Sequence, residues 1–541
     1  MEHLSFDAVI IGSGAAGLRA AISCCRTGLS VCVISKGLPG MGTSTIMSAG
    51  VFSGNVGGKT AQDYRRLTLN SGKGINDSEL LDALLQDTPT RLNELLAWGM
   101  NAKFGEGLLS IDGVIWPPGK EIVRCLLARA RSAGVKFLSR LTAFSIICKD
   151  GYTGILAWSS SRKTWIVLTA RAVVLATGGG SALYLRHDNP RMMMGDGYAL
   201  AFESGVMVQD MEFVQFYPLI LAEPGLPLLL FPPTLLEIGK LTNSSGQEIR
   251  EKYQILEKPA AIRARDTLSR ALFKEIQREG REVFFDLTGV PRDTLIEDSF
   301  LASTWEKLGG DARGLSRPLM VAPAAHHVMG GVCVDANGST SIPGFFAAGE
   351  ATGGVHGANR MGGNALTDTI VFGARAGETA AAWAVAQAGR KIPSVDRDLL
   401  ANVPDFSQKK QSKHGSAAPD LKNRLQQVMW LHGGIMRNRE GLEQALIEVQ
   451  KIHSEAEQLI PAGGRGGVQE IIELRLGTIT ALLILKAALR REESRGAHFR
   501  EDFPDQRDDT WLGSLKVRLS PEGEEMWSFA ASHHDAGTQP K

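Results

Sequence analysis

The sequence predicts an α/β fold in which a Rossmann-like domain carries an inserted α+β domain and is followed by a C-terminal helical domain. Three observations predict it. A buried strand, a glycine turn and a helix open the chain; glycine-rich motifs stop near residue 217 and return near residue 329; and helical periodicity dominates after residue 421. A chain of 541 residues has room for roughly two to four domains.

The N-terminal segment has the order of a βαβ unit. Residues 7–11 are predicted as a buried strand, 18–27 as a helix and 30–34 as the next strand. The first turn has the spacing G-x-G-x-x-G and consists of Gly12, Ser13, Gly14, Ala15, Ala16 and Gly17. Such glycines allow a tight turn, backbone contact with a pyrophosphate and close helix–strand packing. The turn therefore predicts a dinucleotide site.

The second strand departs from the usual dinucleotide pattern. It ends at Ser35 and Lys36, where an acidic residue often binds the adenosine ribose. Ser35 can make one such hydrogen bond, and the alternative is that both are ordinary loop residues. The rest of this domain is predicted to contain helices over 76–97 and 120–133 and strands over 136–149 and 164–176.

Composition changes mark the other domains. Prolines and charged helices replace the glycine turns from about residue 218, with a helix predicted over 261–278 and a strand over 283–287. Helical periodicity covers 421–460 and 468–493. The predicted division is 1–217 and 326–400 for the first domain, 218–325 for the insertion, 401–420 for a polar linker, and 421–541 for the helical domain and a polar tail.

Bulk composition argues against several functions. The chain has 59 basic and 58 acidic residues, whereas nucleic-acid-binding proteins normally carry a basic excess. Its six cysteines form no C-x-x-C pair, so we expect no metal site and reduced thiols in a cytoplasmic protein. The longest apolar stretch, 218–236, contains five prolines and Glu223, so we expect no direct membrane span.

A second glycine-rich motif follows a strand predicted over 345–348. Gly349 and Glu350 leave the end of this strand, where a carboxylate can accept hydrogen bonds from ribose or ribityl hydroxyls. A helix is predicted over 366–383. Its N-terminal amides are suited to a flavin pyrimidine edge, on which negative charge develops during reduction.

Eight stretches in this order resemble one known family. They are GSGAAG (12–17), VVLATGGG (173–180), GDGYALAFESG (195–205), MEFVQFYP (211–218), RDTLSRA (265–271), PAAHHVMGGV (323–332), GFFAAGEATGGVHGANRMGGNAL (344–366) and ESRGAHFREDFP (493–504). With these stretches the chain resembles the flavoprotein family of succinate dehydrogenase, fumarate reductase and L-aspartate oxidase, and its length is similar to L-aspartate oxidase. The resemblance implies a Rossmann-like FAD-binding domain, an inserted α+β capping domain and a C-terminal helical domain.

The resemblance also implies hydride transfer between FAD and a carbon beside a carboxylate. By position, Arg360 and His326 would hold a substrate carboxylate, and Arg265 would donate a proton or form a second carboxylate clamp. The alternatives are purely structural. Arg265 could pair with Asp266 or Glu275 on a surface helix, His326 could be a satisfied core histidine, and Arg360 could cap a loop.

The same resemblance implies an FAD site of known positions. The residues expected there are Gly12, Ser13, Gly14, Ala15, Ala16, Gly17, Ser35, Lys36, Thr43, Ser44, Thr45, Ala49, Gly50, Thr177, Gly178, Asp196, Gly349, Glu350, Asn364, Ala365 and Leu366. Relatives with covalent flavin carry a histidine where this chain has Ser44. We therefore expect non-covalent FAD, as in L-aspartate oxidase.

The substrate motifs depart from the family pattern. Tyr217 replaces a histidine that helps bind the dicarboxylate, and it can donate a hydrogen bond but brings no charge. Prolines and leucines occupy the positions of a glutamate and an arginine in the family's proton relay, within residues 231–240. Glu237 matches a later family glutamate, and Glu106 could replace a lost amine-binding carboxylate.

Two functions remain open from the sequence. The first is an FAD-dependent oxidoreductase that transfers hydride between flavin and a small carboxylate substrate of the fumarate, succinate or L-aspartate type. The alternative is an electron-transfer flavoprotein subunit of a larger redox complex, with an iron–sulfur partner and little dicarboxylate activity. In either function, an iron–sulfur subunit could associate the protein with a membrane.

Overall fold

The computed structural model describes residues 1–532 except 26–27, 114–116, 150, 227–229, 298, 391–402, 404–417 and 460–466. Its centre is a seven-stranded sheet. The strands, in spatial order, are Lys136–Ser139, Val31–Ser35, Glu2–Ile11, Thr164–Leu175, Tyr152–Ser159 and Leu141–Lys149, with Phe345–Ala347 pairing parallel to the end of Thr164–Leu175. The first four of these strands are parallel, Tyr152–Ser159 runs antiparallel to them, and Leu141–Lys149 pairs antiparallel with Tyr152–Ser159.

Helices cover the parallel half of this sheet. Ala15–Cys25 packs against the long helix Asn364–Ala386, and two glycines of that helix make the contact. A Cβ at Gly373 would lie 2.7 Å from the Ala16 carbonyl oxygen, and one at Gly377 would lie 2.3 Å from that of Ala20. Other helices of this part are Ser44–Met47, Ala61–Gly72, Ser78–Ala97, Gly119–Ser132 and Asp196–Glu203, and Val51–Ser53, Leu108–Ile111 and Ala102–Gly105 form a small separate sheet.

The inserted region is built on an antiparallel sheet of its own. Its strands are Val214–Leu221, Leu319–Val328, Val283–Asp286 and Lys240–Asn243, and its helices are Ile249–Lys252, Ala260–Arg263, Arg265–Phe273, Arg292–Ile296 and Ser299–Thr304. This is the α+β insertion that the composition predicted. The predicted domain borders at 217/218 and 325/326 fall inside two strands of this sheet, so the division remains a prediction.

The predicted helix over 261–278 is wrong as one element. It is broken at Ala264, whose ψ of 24° leaves the helical region, and it ends in a π-helical turn over Lys274–Arg278. The break lets Arg265 begin a new helix. Similarly, the strand predicted over 136–149 is two strands, because Arg140 has a φ of 57°.

The C-terminal region contains more than helices. Its helices are Ala418–Leu431, Arg439–Glu457, Gly467–Arg490 and Asp508–Trp511. The predicted tail, however, contains a hairpin of Gly513–Leu519 and Glu525–Ala531 that extends the short strands Val208–Gln209 and Gly331–Val332. Leu515 and Val517 alternate into the core, which is the physical reason for a strand there.

Two further expectations concern the linker and a membrane span. The polar linker predicted over 401–420 lies largely outside the described residues, and a helix already begins at Ala418. Among the described helices, none is both long enough and apolar enough to cross a membrane.

Candidate active site

A cleft opens at the carboxyl ends of the parallel strands. This is where ligands bind in open parallel sheets, because loops from neighbouring strands meet there. The cleft brings together most of the predicted cofactor residues: Gly12, Ser13, Gly14, Ala15, Ala16, Ser35, Lys36, Thr43, Ser44, Thr45, Thr177, Gly178, Asp196 and Glu350.

The glycine turn allows the backbone of the cleft to be packed closely. Gly12 has a φ of +115°, and a Cβ there would lie 2.1 Å from the carbonyl oxygen of Ala176. A Cβ at Gly17 would lie equally close to the carbonyl oxygen of Gly12. Gly17 is outside the cleft lining, so its role is helix–strand packing, as the third glycine of such a turn requires.

Several buried polar atoms of the cleft have no hydrogen-bond partner among the described residues. They are Ser44 Oγ, Thr177 Oγ1 and Asp196 Oδ1. Buried polar groups are almost always satisfied in native proteins, so these atoms indicate a polar ligand with hydroxyl or phosphate groups. Together with the close-packed glycine turn, they fit a bound FAD.

Two charged side chains of the cleft have partners that the sequence did not predict. Lys36 Nζ forms an ion pair with Asp196, lies 3.3 Å from Glu473 and donates a hydrogen bond to the Met192 carbonyl oxygen at 2.7 Å. Lys36 therefore links the cleft to the C-terminal helix that carries Glu473. Glu350 accepts a hydrogen bond from the Val328 amide at 3.1 Å, and burial raises its pKa to about 7.

The remaining predicted cofactor residues lie outside the cleft lining. They are Gly17, Ala49, Gly50, Gly349, Asn364, Ala365 and Leu366. Asn364 is buried and its side chain bonds to Tyr64 and Thr68, so only its backbone is available to a ligand. A Cβ at Gly349 would lie 2.8 Å from that of Ala16, which brings the two motifs together.

Two arginines converge at a second place, between the inserted region and the first domain. Arg265 Nη2 donates to Asn359 Oδ1 at 2.6 Å and to the Arg360 carbonyl oxygen at 3.0 Å. Arg360 Nη2 donates to Gln215 Oε1 at 2.9 Å. Both Nε atoms are buried without a hydrogen-bond partner among the described residues. Such paired, incompletely satisfied guanidinium groups are suited to an anion.

The structure bears on the surface alternative for Arg265, whereas the substrate role of both arginines stays a prediction. Arg265 is not at the surface, because only 10% of its side chain is exposed, and its Nε forms a long ion pair of 3.9 Å with Asp266 Oδ1. The other oxygen of Asp266 accepts a hydrogen bond from Asn359 at 2.6 Å. Burial, and then the nearby charge of Arg265, lower the pKa of Arg360 to about 10, so a bound anion would relieve the repulsion.

His326 and Tyr217 lie beside this arginine pair. Their strands are neighbours, and the two rings are 5.9 Å apart. His326 Nδ1 lies 2.6 Å from Oδ2 of Asp188, which fixes the ring and leaves Nε2 for a ligand. The Tyr217 hydroxyl donates its hydrogen bond to the Phe231 carbonyl oxygen at 2.7 Å, so it has no proton left to donate to a substrate.

The sequence reasoning missed a buried histidine pair next to this site. His327 Nδ1 lies 3.4 Å from Glu350, and its ring lies 5.3 Å from that of His356. Burial, and then the charge of Arg360, hold the pKa of His327 well below its usual range, so its ring is neutral. His356 in turn lies 3.7 Å from Asp368.

Comparison with known proteins agrees with this geometry. Residues 7–366 match the FAD binding domain family, and residues 422–529 match the family described as fumarate reductase flavoprotein C-term. The chain belongs to the fumarate reductase and succinate dehydrogenase flavoprotein family. It is therefore an FAD-dependent oxidoreductase, and its predicted cofactor is confirmed as FAD.

Relatives within this family have several activities. The chain is 33% identical to a fumarate reductase (CoM/CoB) subunit of Methanothermobacter marburgensis, over 96% of this chain and 98% of that protein. It is 30% identical to an L-aspartate oxidase of Streptomyces coelicolor, over 96% and 92%. A variant of E. coli quinol fumarate reductase FrdA has the same fold, with a TM-score of 0.88 and 26% identity over 100% of this chain and 99% of that one. The predicted fold class is thus confirmed.

Proposed function

We propose that this flavoprotein transfers hydride between FAD and a small carboxylate substrate of the fumarate, succinate or L-aspartate type, at a C–C or C–N bond next to a carboxylate. The observation that carries the proposal is the convergence of Arg265 and Arg360 beside His326. Bound FAD supplies hydride exchange at its N5 atom. In this proposal the arginines bind and orient the carboxylate, and Arg265 exchanges the proton.

The convergence favours substrate chemistry over the electron-transfer alternative. Burying two guanidinium groups near each other is costly unless an anion or a buried carboxylate compensates them. Asp266 lies 3.9 Å from one of them, and its carboxylate also accepts a hydrogen bond from Asn359. Glu350 and Asp188 offset the charge of Arg360 only in part, because its pKa is still lowered to about 10, and a substrate anion would add to this compensation.

The experiment tests FAD-loaded protein for both reduction and oxidation of the substrate. Dithionite-reduced protein is mixed anaerobically with unsaturated acids and imino acids, and oxidised protein with saturated acids and L-aspartate, while flavin absorbance is followed. We expect a change with at least one acid. Loss of the planar fork in Arg360→Lys should lower kcat/KM by about 100-fold while FAD is retained, whereas the exposed Arg439→Lys should have no effect. Absence of any flavin change in either direction would refute the proposal.

We further propose that the FAD is non-covalent and that the protein works with an iron–sulfur subunit, through which it could associate with a membrane. Ser44 in the cleft has a hydroxyl and no imidazole for a histidyl link, and two relatives are named as subunits. Acid precipitation should leave a colourless pellet and a yellow supernatant. Copurification of stoichiometric iron from the native host, lost when a partner gene is deleted, would support the second proposal.

A further inference from the structure

A buried cluster of two histidines and two carboxylates lies against the cofactor cleft. Its members are His327, Glu350, His356 and Asp368. They come from a strand of the inserted sheet, from two turns of the first domain and from the long helix Asn364–Ala386. Glu350 has the most exposed side chain of the four, at only 11%, and it lines the cleft. The cluster therefore meets the FAD site through Glu350.

The members of this cluster contact one another in a chain. His327 Nδ1 lies 3.4 Å from Glu350 Oε1, and the two imidazole rings are 5.3 Å apart. His356 Nε2 lies 3.7 Å from Asp368 Oδ2. Each imidazole thus has a carboxylate within ion-pair distance. A proton added to either ring would form an ion pair with that carboxylate, which offsets part of the cost of a buried charge.

The cluster also has hydrogen-bonding atoms that are not in use. His327 Nε2, both ring nitrogens of His356 and Asp368 Oδ1 are buried without a hydrogen-bond partner among the described residues. Neither the carboxylate site proposed above nor the glycine turn uses these atoms. Because buried polar atoms are nearly always satisfied in native proteins, a group of them beside a redox cofactor indicates a site whose proton content changes.

The charges around the cluster set its protonation in the oxidised protein. Burial, and then the charge of Arg360, hold the pKa of His327 well below its usual range. Burial raises the pKa of Glu350 to about 7, and Arg360 opposes this shift. Near neutral pH, Glu350 can therefore gain or lose a proton. The other titratable groups that act on the cluster are Arg265, Asp188, His326, Tyr64 and Tyr198.

We propose that this cluster takes up one proton when the bound FAD is reduced and releases it when the FAD is oxidised. Two electrons and one proton enter the flavin and leave one negative charge in the cleft that Glu350 lines. Ionised Glu350 would add a second negative charge there, which is unfavourable in a buried site. A proton from solvent, shared between Glu350 and His327, restores the net charge that the site had before reduction. The proposal depends on FAD and not on any particular substrate.

The test counts protons in the absence of substrate. FAD-loaded protein is reduced in an electrochemical cell at a series of pH values, and the pH dependence of the flavin midpoint potential gives the protons taken up per two electrons. At about pH 8, the wild type should take up about one proton more than Glu350→Gln. His327→Asn should also take up less than the wild type, because one of the two sites that share the proton is lost.

Infrared spectra supply a second measurement, which a purely structural role would not change. The reduced-minus-oxidised difference spectrum of the wild type should gain a band of a protonated carboxyl or imidazole. Glu350→Gln and His327→Asn should each weaken or shift this band. The matched control is His432→Asn, because His432 is only partly buried and lies outside the cleft lining. It should match the wild type in both measurements.

The outcomes separate this proposal from the proposed function. Equal proton uptake in the wild type, Glu350→Gln and His327→Asn would show that the cluster is only structural and would overturn the proposal. If a variant loses its FAD, the wild-type spectrum decides, and the absence of a newly protonated carboxyl or imidazole band overturns it. The response of the flavin to carboxylic acids is measured separately, so either proposal can fail while the other stands.

Discussion

Gly12 shows how a single residue defines the cofactor cleft. Its φ of +115° disfavours a side chain, and a Cβ would meet the Ala176 carbonyl oxygen at 2.1 Å. Gly12→Ala should therefore push the glycine turn away from its neighbouring strand and yield protein with little bound FAD, measured by absorbance after gel filtration. Gly205→Ala is the matched control, because Gly205 also has a positive φ of +80° but has nothing within 4 Å of the added Cβ. Equal FAD content in both variants would contradict this account.

Glu350 gives the apoprotein a predictable dependence on pH. Burial raises its folded pKa to about 7 from an ordinary value of 4.5. The neutral carboxyl is favoured in the folded state, so its contribution to stability is complete below pH 4.5 and is lost as the pH rises to about 7, by up to ~3 kcal/mol.

Glu350→Gln should remove this loss. Between pH 5 and about 7.5, the urea midpoint of the FAD-free variant should rise relative to that of the FAD-free wild type. The exposed Glu79→Gln should show the same pH dependence as the wild type. A constant difference between Glu350→Gln and the wild type over this range would show that Glu350 titrates normally.

For single residues, the sequence predicted which ones line the cleft better than it predicted the partners of their side chains. Local glycine motifs predicted the positions of the cleft residues, because the conformation of a tight turn depends on only a few adjacent residues. His327 was missed, although adjacent residues on a strand face opposite sides, so the pair His326-His327 should have indicated two different environments. Tyr217 was expected to contact the substrate through its hydroxyl, but the partner of that hydroxyl, the Phe231 carbonyl, is set by tertiary packing.

Among helices and strands, too, those determined by nearby residues were predicted better than those that depend on residues distant in sequence. Strands and helices with clear periodicity were predicted to within a few residues. The insertion helix was predicted as continuous because nothing in its periodicity marks the break at Ala264, whose φ of −111° and ψ of 24° lie outside the helical region. The hairpin over Gly513–Ala531 was missed because its outer strand is polar and exposed, and its inner strand is stabilised by pairing with Val208–Gln209, some 300 residues away in sequence.

The packing of helix Asn364–Ala386 on Ala15–Cys25 holds the two cofactor motifs together. Gly377→Val should separate these helices, because its Cβ would meet the Ala20 carbonyl oxygen at 2.3 Å, and should lower the free energy of unfolding by about 3 kcal/mol along with FAD content. Ala382→Val, on the exposed face of the same helix, introduces the same β-branched side chain without this contact. The prediction is wrong if both variants unfold at the same urea concentration.

For the whole molecule, a buried ionic network joins the C-terminal region to the first domain. Arg491 is fully buried and pairs with Glu212, Glu493 and, at 3.6 Å, Asp210. Glu493, the first residue of the motif ESRGAHFREDFP, thus belongs to a charged core between distant parts of the chain. Composition could not predict this, since charged residues are expected on the surface.

Glu212 is the member whose loss should affect the whole molecule. Glu212→Ala leaves Arg491 buried with incomplete compensation, and breaking a buried pair in this way typically costs about 3 kcal/mol or more. We expect a lower unfolding temperature and faster proteolysis between the C-terminal region and the rest of the chain. Glu443→Ala is the control, because its ion pair with Arg439 is half exposed at 3.7 Å and such pairs contribute less than about 1 kcal/mol. If the two variants lose equal stability, the buried network does not hold the C-terminal region to the FAD-binding part.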